Sequence, residues 1–289
     1  RTYMDFSNHL LLAVAFLVIG FVLLIKGADL FVEGSSSIAK KLKVPAMIIG
    51  LTIVAMGTSL PELAVSLTAS MAGNNELAVS NVLGSNLFNL TVVIGVCALI
   101  VPVTVQKNTL QRDFPVSVIS TILLFALGIG GMTIGHADGV ILSALFVIFL
   151  ILMVRSALKA RKAALTEFSP EAAKLELEEE EVSEEIRVIP VWRCILYIGL
   201  GIAGIILGSD WVVGAASAIA AQFGLSQNLI GLTIVAIGTS LPELVTSVTA
   251  ARKNEVDLAL GNALGSNIFN VFLILGVSGA ISPMGYGTE

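Results

Sequence analysis

Charge is scarce in this sequence. Asp, Glu, Lys and Arg together make up 13% of 289 residues, and aromatic residues only 6%. That is about half the charge of an ordinary soluble domain, which excludes a water-clothed globule. Two cysteines, Cys97 and Cys194, are too few for a disulfide framework or a thiolate metal site and read as small buried residues. Two histidines, His9 and His136, lie far apart, support no metal-ligand spacing and read as surface residues. What is abundant is apolar: 56% of the residues are hydrophobic and the mean hydropathy is +0.94.

Crossing a hydrocarbon core takes about 20 residues of helix. Apolar runs near 9–32, 45–71, 77–101, 113–134, 138–157, 191–221, 227–251 and 256–280 satisfy that, so about eight transmembrane helices are expected in an all-α integral membrane protein. The first run is too long, and lacks the basic start, for a cleaved signal peptide. Placing Lys40, Lys41, Lys43, Lys107, Arg112, Arg252, Lys253 and the stretch from Arg155 to Arg193 in loops of one face gathers fourteen of the sixteen basic residues there. The positive-inside rule makes that face cytoplasmic and the N-terminus external. The short loops suggest a prokaryotic inner membrane. The acidic stretch "TEFSPEAAKLELEEEEVSEEIR" (166–187) reads as a solvated cytoplasmic linker.

The chain repeats itself. Residues 50–96 align without gaps to residues 231–277, identical at 27 of 47 positions, and "KGAD" at 26–29 meets "LGSD" at 207–210 with the same offset of 181. Five expected spans precede the sixth, so the halves should be inverted, the architecture that builds a midplane site at a repeat interface. The expected division is a first half (1–158, helices 1–5), an acidic loop (159–188) and a second half (189–289, helices 6–8). The second half is shorter by two helices, and truncation of the sequence is the expected reason.

Both copies carry "GTSLPE", at 57–62 and 238–243, and "GSNxFN", at 84–89 and 265–270. Duplication retained for packing accounts for the apolar identities. It does not account for Glu62 and Glu243, because an ionised carboxylate at the bilayer centre costs at least about 2.5–3.5 kcal/mol. Lys26 is the only basic residue well inside a span, so the obvious partner for the carboxylates is a cation from solution. Pro61 and Pro242 lack the amide hydrogen due to Gly57 and Gly238, whose carbonyls should therefore be unpaired at a break in each helix. Thr58, Ser59, Thr239 and Ser240 add hydroxyls, and the second motifs add Ser85, Asn86 and Asn89 with Ser266, Asn267 and Asn270. This is an all-oxygen set, suited to a hard cation: calcium takes 6–8 such ligands, and sodium suits the same oxygens. Helix packing by small polar residues is the plainer explanation for any one serine or threonine. Asn81 and Asn262 read as structural, away from the Ser85/Asn89 face, and Asp29 and Asp210 as capping or interfacial groups near the ends of their spans.

With its paired motifs at one spacing, the chain resembles the calcium/cation antiporter superfamily, specifically the sodium/calcium exchanger type, from about residue 18 to 281. The resemblance implies two inverted five-helix halves around a diamond of four short helices, with the second, third, seventh and eighth spans holding the site. It implies Glu62 and Glu243 as central ligands of calcium and sodium. Thr58, Ser59, Thr239, Ser240, Ser85 and Ser266 would flank them, Asn89 and Asn270 would face the site, and Ala55 and Ala236 would lend backbone carbonyls. The first and sixth spans would slide to alternate access. Many relatives carry Asp at the position of Asn270. Two carboxylates rather than three do not carry over a three-sodium stoichiometry or a potassium requirement.

The function expected is secondary active exchange of calcium for sodium by alternating access, with proton/calcium antiport as the alternative. A cation channel is a rival of another class, though it would want a continuous pore and usually rotational symmetry. An intramembrane enzyme lacks a nucleophile–base pair. No cofactor and no nucleic-acid partner is expected beyond the ions and the bilayer.

Overall fold

The computed structural model describes residues 10–73, 75–107, 109–129, 133–166, 189–226, 230, 233–234 and 236–285. His9 and the acidic stretch from 167 onward lie outside the described residues. Among those described, six helices are long and apolar enough to cross a membrane, and a bent pair makes a seventh. The span expected at 227–251 falls partly outside them.

Helix α1 (Leu10–Leu42) and helix α7 (Val191–Gln222) are the long pair. Between them stand α2 (Ala46–Thr58), α3 (Leu60–Met71), α4 (Asn75–Ile100), α5 (Phe114–Ile129) and α6 (His136–Thr166). After α7 come the single turn α8 (Ala236–Thr239), α9 (Leu241–Arg252) and α10 (Val256–Ile281). The repeat survives as structure: α3 and α9 have equal lengths, and their ends differ by the same 181 positions that relate the sequences. The turns after them also match, since Gly73 (φ 77°) and Asn254 (φ 58°) both take the left-handed conformation that ends a helix.

Position within the fold grades burial. In α10, 78% of the most apolar window is buried, against 22–28% in the other single spans, so α10 is the central helix. It lies backbone to backbone on α2: a Cβ at Gly261 would stand 2.6 Å from the Met47 carbonyl oxygen. The outer helices instead expose apolar side chains such as Leu11 and Leu99 to their surroundings, as expected where the solvent is lipid.

Helices α1 and α7 pack through glycines. A Cβ at Gly27 would lie 2.7 Å from the Ile205 nitrogen, and one at Gly208 would lie 2.6 Å from the Leu24 nitrogen. Small residues that admit such backbone contact are what helices in lipid use in place of a hydrophobic drive.

Several expectations need correction. Helix α1 continues ten residues past the run ending at 32, because Gly34 to Ser37 are buried against protein rather than lipid. Lys40 and Lys41 consequently sit in its last turn rather than in a loop. Asp29 is within that helix, paired with Lys253 at 3.4 Å, and Asp210 is likewise within α7. Lys40 pairs with Glu255 at 3.5 Å, where Ser36 also donates at 2.5 Å. Helix α6 runs to Thr166, nine residues beyond the apolar run expected to end at 157. Helix α5 ends at Ile129, and Thr133–Ile134 pairs with Met284–Gly285 as a two-residue antiparallel ladder in an otherwise helical protein. Cys97 and Cys194 are free and buried as expected, and His136 is exposed, its ring bonded to the Ala280 carbonyl.

The glycine contacts make a signed prediction. Gly208→Ala should lower the melting temperature in detergent, at a cost of about 1–3 kcal/mol for overpacking. Gly199→Ala, where an added Cβ meets nothing within 4 Å, should leave it unchanged or raise it.

Candidate ion-binding site

Each "GTSLPE" breaks its helix at the serine. Ser59 (φ −83°, ψ 7°) and Ser240 (φ −94°, ψ 4°) leave helical geometry, and the bend between α2 and α3 is 50°. Pro61 and Pro242 then stand in the first turn of α3 and α9, where proline costs no internal hydrogen bond. The two carbonyls expected to be unpaired differ. That of Gly238 accepts from Ser209 Oγ at 2.9 Å, whereas Gly57 has Ala28 at the position equivalent to Ser209, which has no hydroxyl to offer.

The second motifs carry another irregularity. At Asn89–Val93 and Asn270–Leu275 the helices widen to a π-turn, each opening on the last asparagine of its "GSNxFN". A π-turn shifts the register of every side chain after it and recurs at functional positions. No local signal in the sequence marks it.

Glu62 and Glu243 are buried completely, at 0% and 1% exposure. Each takes a hydrogen bond from the other half. Ser59 donates to Glu243 Oε1 at 2.9 Å, and Ser240 donates to Glu62 Oε1 at 3.2 Å. Ser240 also lies 3.0 Å from Ser85 Oγ, and Ser266 lies 3.4 Å from Glu243 Oε1. Thr58 and Thr239 reach across in the same way, to Asn262 Oδ1 (2.9 Å) and Asn81 Oδ1 (3.3 Å). The fold therefore brings Thr58, Ser59, Glu62, Ser85, Thr239, Ser240, Glu243 and Ser266 into one connected cluster.

Asn89 and Asn270 are buried too, their nitrogens donating to Asn267 Oδ1 (3.1 Å) and Asn86 Oδ1 (3.0 Å). The Ala55 carbonyl accepts from the Ser59 amide (3.0 Å) and the Thr58 hydroxyl (3.3 Å), so it is already engaged. Ala236 opens α8.

Asn81 and Asn262 do more than expected. Being four residues before Ser85 and Ser266, they share their face, contrary to the sequence reading. Their nitrogens hold the Glu62 and Glu243 carbonyls at 3.4 and 3.3 Å and the Ser66 and Ser247 hydroxyls at 3.0 and 2.9 Å.

Four buried acceptors of this cluster have no hydrogen-bond partner: Glu62 Oε2, Glu243 Oε2, Asn89 Oδ1 and Asn270 Oδ1. They form two pairs at the repeat offset. Among the described residues neither glutamate forms an ion pair, and no three His, Cys, Asp or Glu side chains gather. The arrangement offers a cation two carboxylates and neutral oxygens, with no nitrogen or sulfur ligand.

The sequence profile described as "Sodium/calcium exchanger protein" matches residues 12–155 and 194–289. The chain belongs to this family. It is 44% identical to the putative antiporter CaxA of Alkalimonas amylolytica, covering 95% of this chain and 82% of that protein. It is 35% identical to the sodium/calcium exchanger MaX1 of Methanosarcina acetivorans, covering 93% and 83%. In structure it is similar to the sodium-calcium exchanger NCX_Mj soaked with 2.5 mM Na+ and 0.1 mM Ca2+, with a TM-score of 0.79 at 33% identity, covering 95% and 84%. The family supports a membrane-embedded cation/calcium antiporter. The Inner membrane protein YrbG of Escherichia coli, 35% identical over 95% of the chain, agrees with that setting.

Asn262→Ala removes a donor and an acceptor inside the protein at once. It should destabilise the chain by about 1–3 kcal/mol. Asn81→Ala, at a half-buried position, should cost less. Thermal unfolding of both variants in one detergent checks the order.

Proposed function

We propose that the chain exchanges calcium for sodium by alternating access at a single site shared between its halves. The observation that carries the reading is the set of four buried, donorless oxygens, two carboxylate and two amide, drawn equally from both repeats. Buried acceptors without donors are rare and costly, and a cation satisfies all four together. The proposed ligands are Glu62, Glu243, Asn89 and Asn270, with Ser59, Ser240, Thr58, Thr239, Ser85 and Ser266 around them. Ala55 and Ala236 complete the set through their carbonyls. That of Ala55 keeps its bond from the Ser59 amide and offers its second lone pair once Thr58 turns its hydroxyl away.

The two carboxylates carry a charge of −2, which one calcium or two sodium ions neutralise. Moving the site across the membrane without its ions would carry both charges uncompensated, and that penalty couples the two fluxes. Calcium and sodium are substrates here, and the MaX1 and NCX_Mj relatives bear sodium/calcium exchanger names. The reading places the repeats in inverted orientation about an axis in the membrane plane. It also keeps the division near 1–158, 159–188 and 189–289, with the N-terminus outside and the acidic stretch in the cytoplasm by the positive-inside rule.

Calcium-45 uptake into proteoliposomes tests this. Uptake should require sodium inside the vesicle and fall to background in Glu62→Gln and in Glu243→Gln. Uptake driven only by a pH gradient would replace sodium with the proton as counter-ion. Calcium entry without any counter-ion, or normal transport by both variants, would defeat the shared-carboxylate exchanger.

A further inference from the structure

Asn86 and Asn267 belong to both "GSNxFN" motifs, yet neither has a free oxygen to give an ion. Both are buried, and each spends its nitrogen on the other's main chain: Asn86 Nδ2 donates to the Asn267 carbonyl at 3.3 Å, and Asn267 Nδ2 to the Asn86 carbonyl at 3.2 Å. The reciprocal bonds join α4 to α10. They also settle which end of each amide points where, since a nitrogen must face a carbonyl and the oxygen then faces away.

Those outward oxygens are the acceptors for the next asparagine pair, and the connection crosses the repeats. Asn86 Oδ1 receives Asn270 Nδ2 at 3.0 Å, and Asn267 Oδ1 receives Asn89 Nδ2 at 3.1 Å. With its nitrogen held, each outer asparagine turns its own oxygen the other way. These are the donorless Asn89 Oδ1 and Asn270 Oδ1.

We propose that Asn86 and Asn267 are positioning residues of the ion site, each aiming the asparagine of the opposite repeat oxygen-first at the cation. Because their own oxygens face positions 270 and 89, they require an N–H there. A carboxylate at either position would set oxygen against oxygen and strand an acceptor. The chain of four asparagines, Asn89–Asn267–Asn86–Asn270, thus holds the site at two formal charges. The inference rests on the ion-site reading for what the aimed oxygens bind.

Double-mutant cycles on the full chain, reading the Michaelis constant for calcium and the maximal rate of sodium-dependent uptake, test it. Asn86→Ala should raise the calcium KM about tenfold, more than it lowers the maximal rate, since one orienting bond is lost. Asn86→Ala added to Asn270→Ala should do no further harm, while Asn86→Ala added to Asn89→Ala should multiply. The mirror cycle, Asn267 with Asn89, should behave alike and serves if an Asn86 variant fails to fold. Additive effects within both crossed pairs would overturn the proposal. Asn270→Asp, of equal size, gives a second readout: its calcium KM should stay level or rise despite the added carboxylate, and a lowered KM would overturn the requirement for an N–H. Glu62→Gln and Glu243→Gln run alongside. Transport by both would sink the ion-site reading and this inference together. Loss of transport in both, with additive asparagine effects, would sink the positioning role alone.

Discussion

Two carboxylates fully withdrawn from water are the constraint on which the rest of this protein depends. Each has one oxygen bonded by a serine of the opposite half and one with no donor at all. A buried charge in that condition survives only where something compensates it. Neither half can supply that compensation alone, because Ser59 serves Glu243 and Ser240 serves Glu62. The hydrogen bonds of each glutamate are complete only when the two copies are together, and α10, the most buried span, is where the second copy meets the first.

The backbone is shaped to the same end. A regular helix hides its polar groups within itself, which is why helices suit lipid. This fold departs from regularity at Ser59 and Ser240 and at the π-turns that begin with Asn89 and Asn270. These four departures lie on residues of the site; further π-turns stand at Gly50–Val54 within α2 and at Thr109–Asp113 ahead of α5. The cost of the breaks is offset by side chains from elsewhere in the chain: Asn81 and Asn262 hold the glutamate carbonyls, and Ser209 holds that of Gly238. The symmetry is incomplete where Ala28 replaces Ser209, so the two halves of the site are not equivalent.

Much of this was legible beforehand. The hydropathy runs located the helices, and the repeated motifs named the glutamates, serines, threonines and asparagines that the fold assembles. Helix ends were less legible. The hydropathy of α1 fades near 32, but Gly34 to Ser37 pack against protein, where polarity is no obstacle to a helix. Proline marked the break but not its position: the chain turns at Ser59, and Pro61 sits where a helix accepts it. The face that Asn81 shares with Ser85 was readable from their spacing of four, whereas the hydroxyl of Thr239, reaching it from the other half, was not.

By itself, then, the sequence determined the class, a helical membrane protein, and the chemistry, a duplicated cluster of oxygen-bearing side chains around two carboxylates. These are properties of composition, periodicity and motif, all readable within a few turns of helix. The tertiary structure alone decided the pairing. That Ser59 bonds Glu243 rather than Glu62, and that Asn86 orients Asn270 rather than Asn89, concerns residues 184 positions apart. Local periodicity tells which face a side chain occupies. It cannot tell which distant face will be folded against it, because that depends on how whole helices pack.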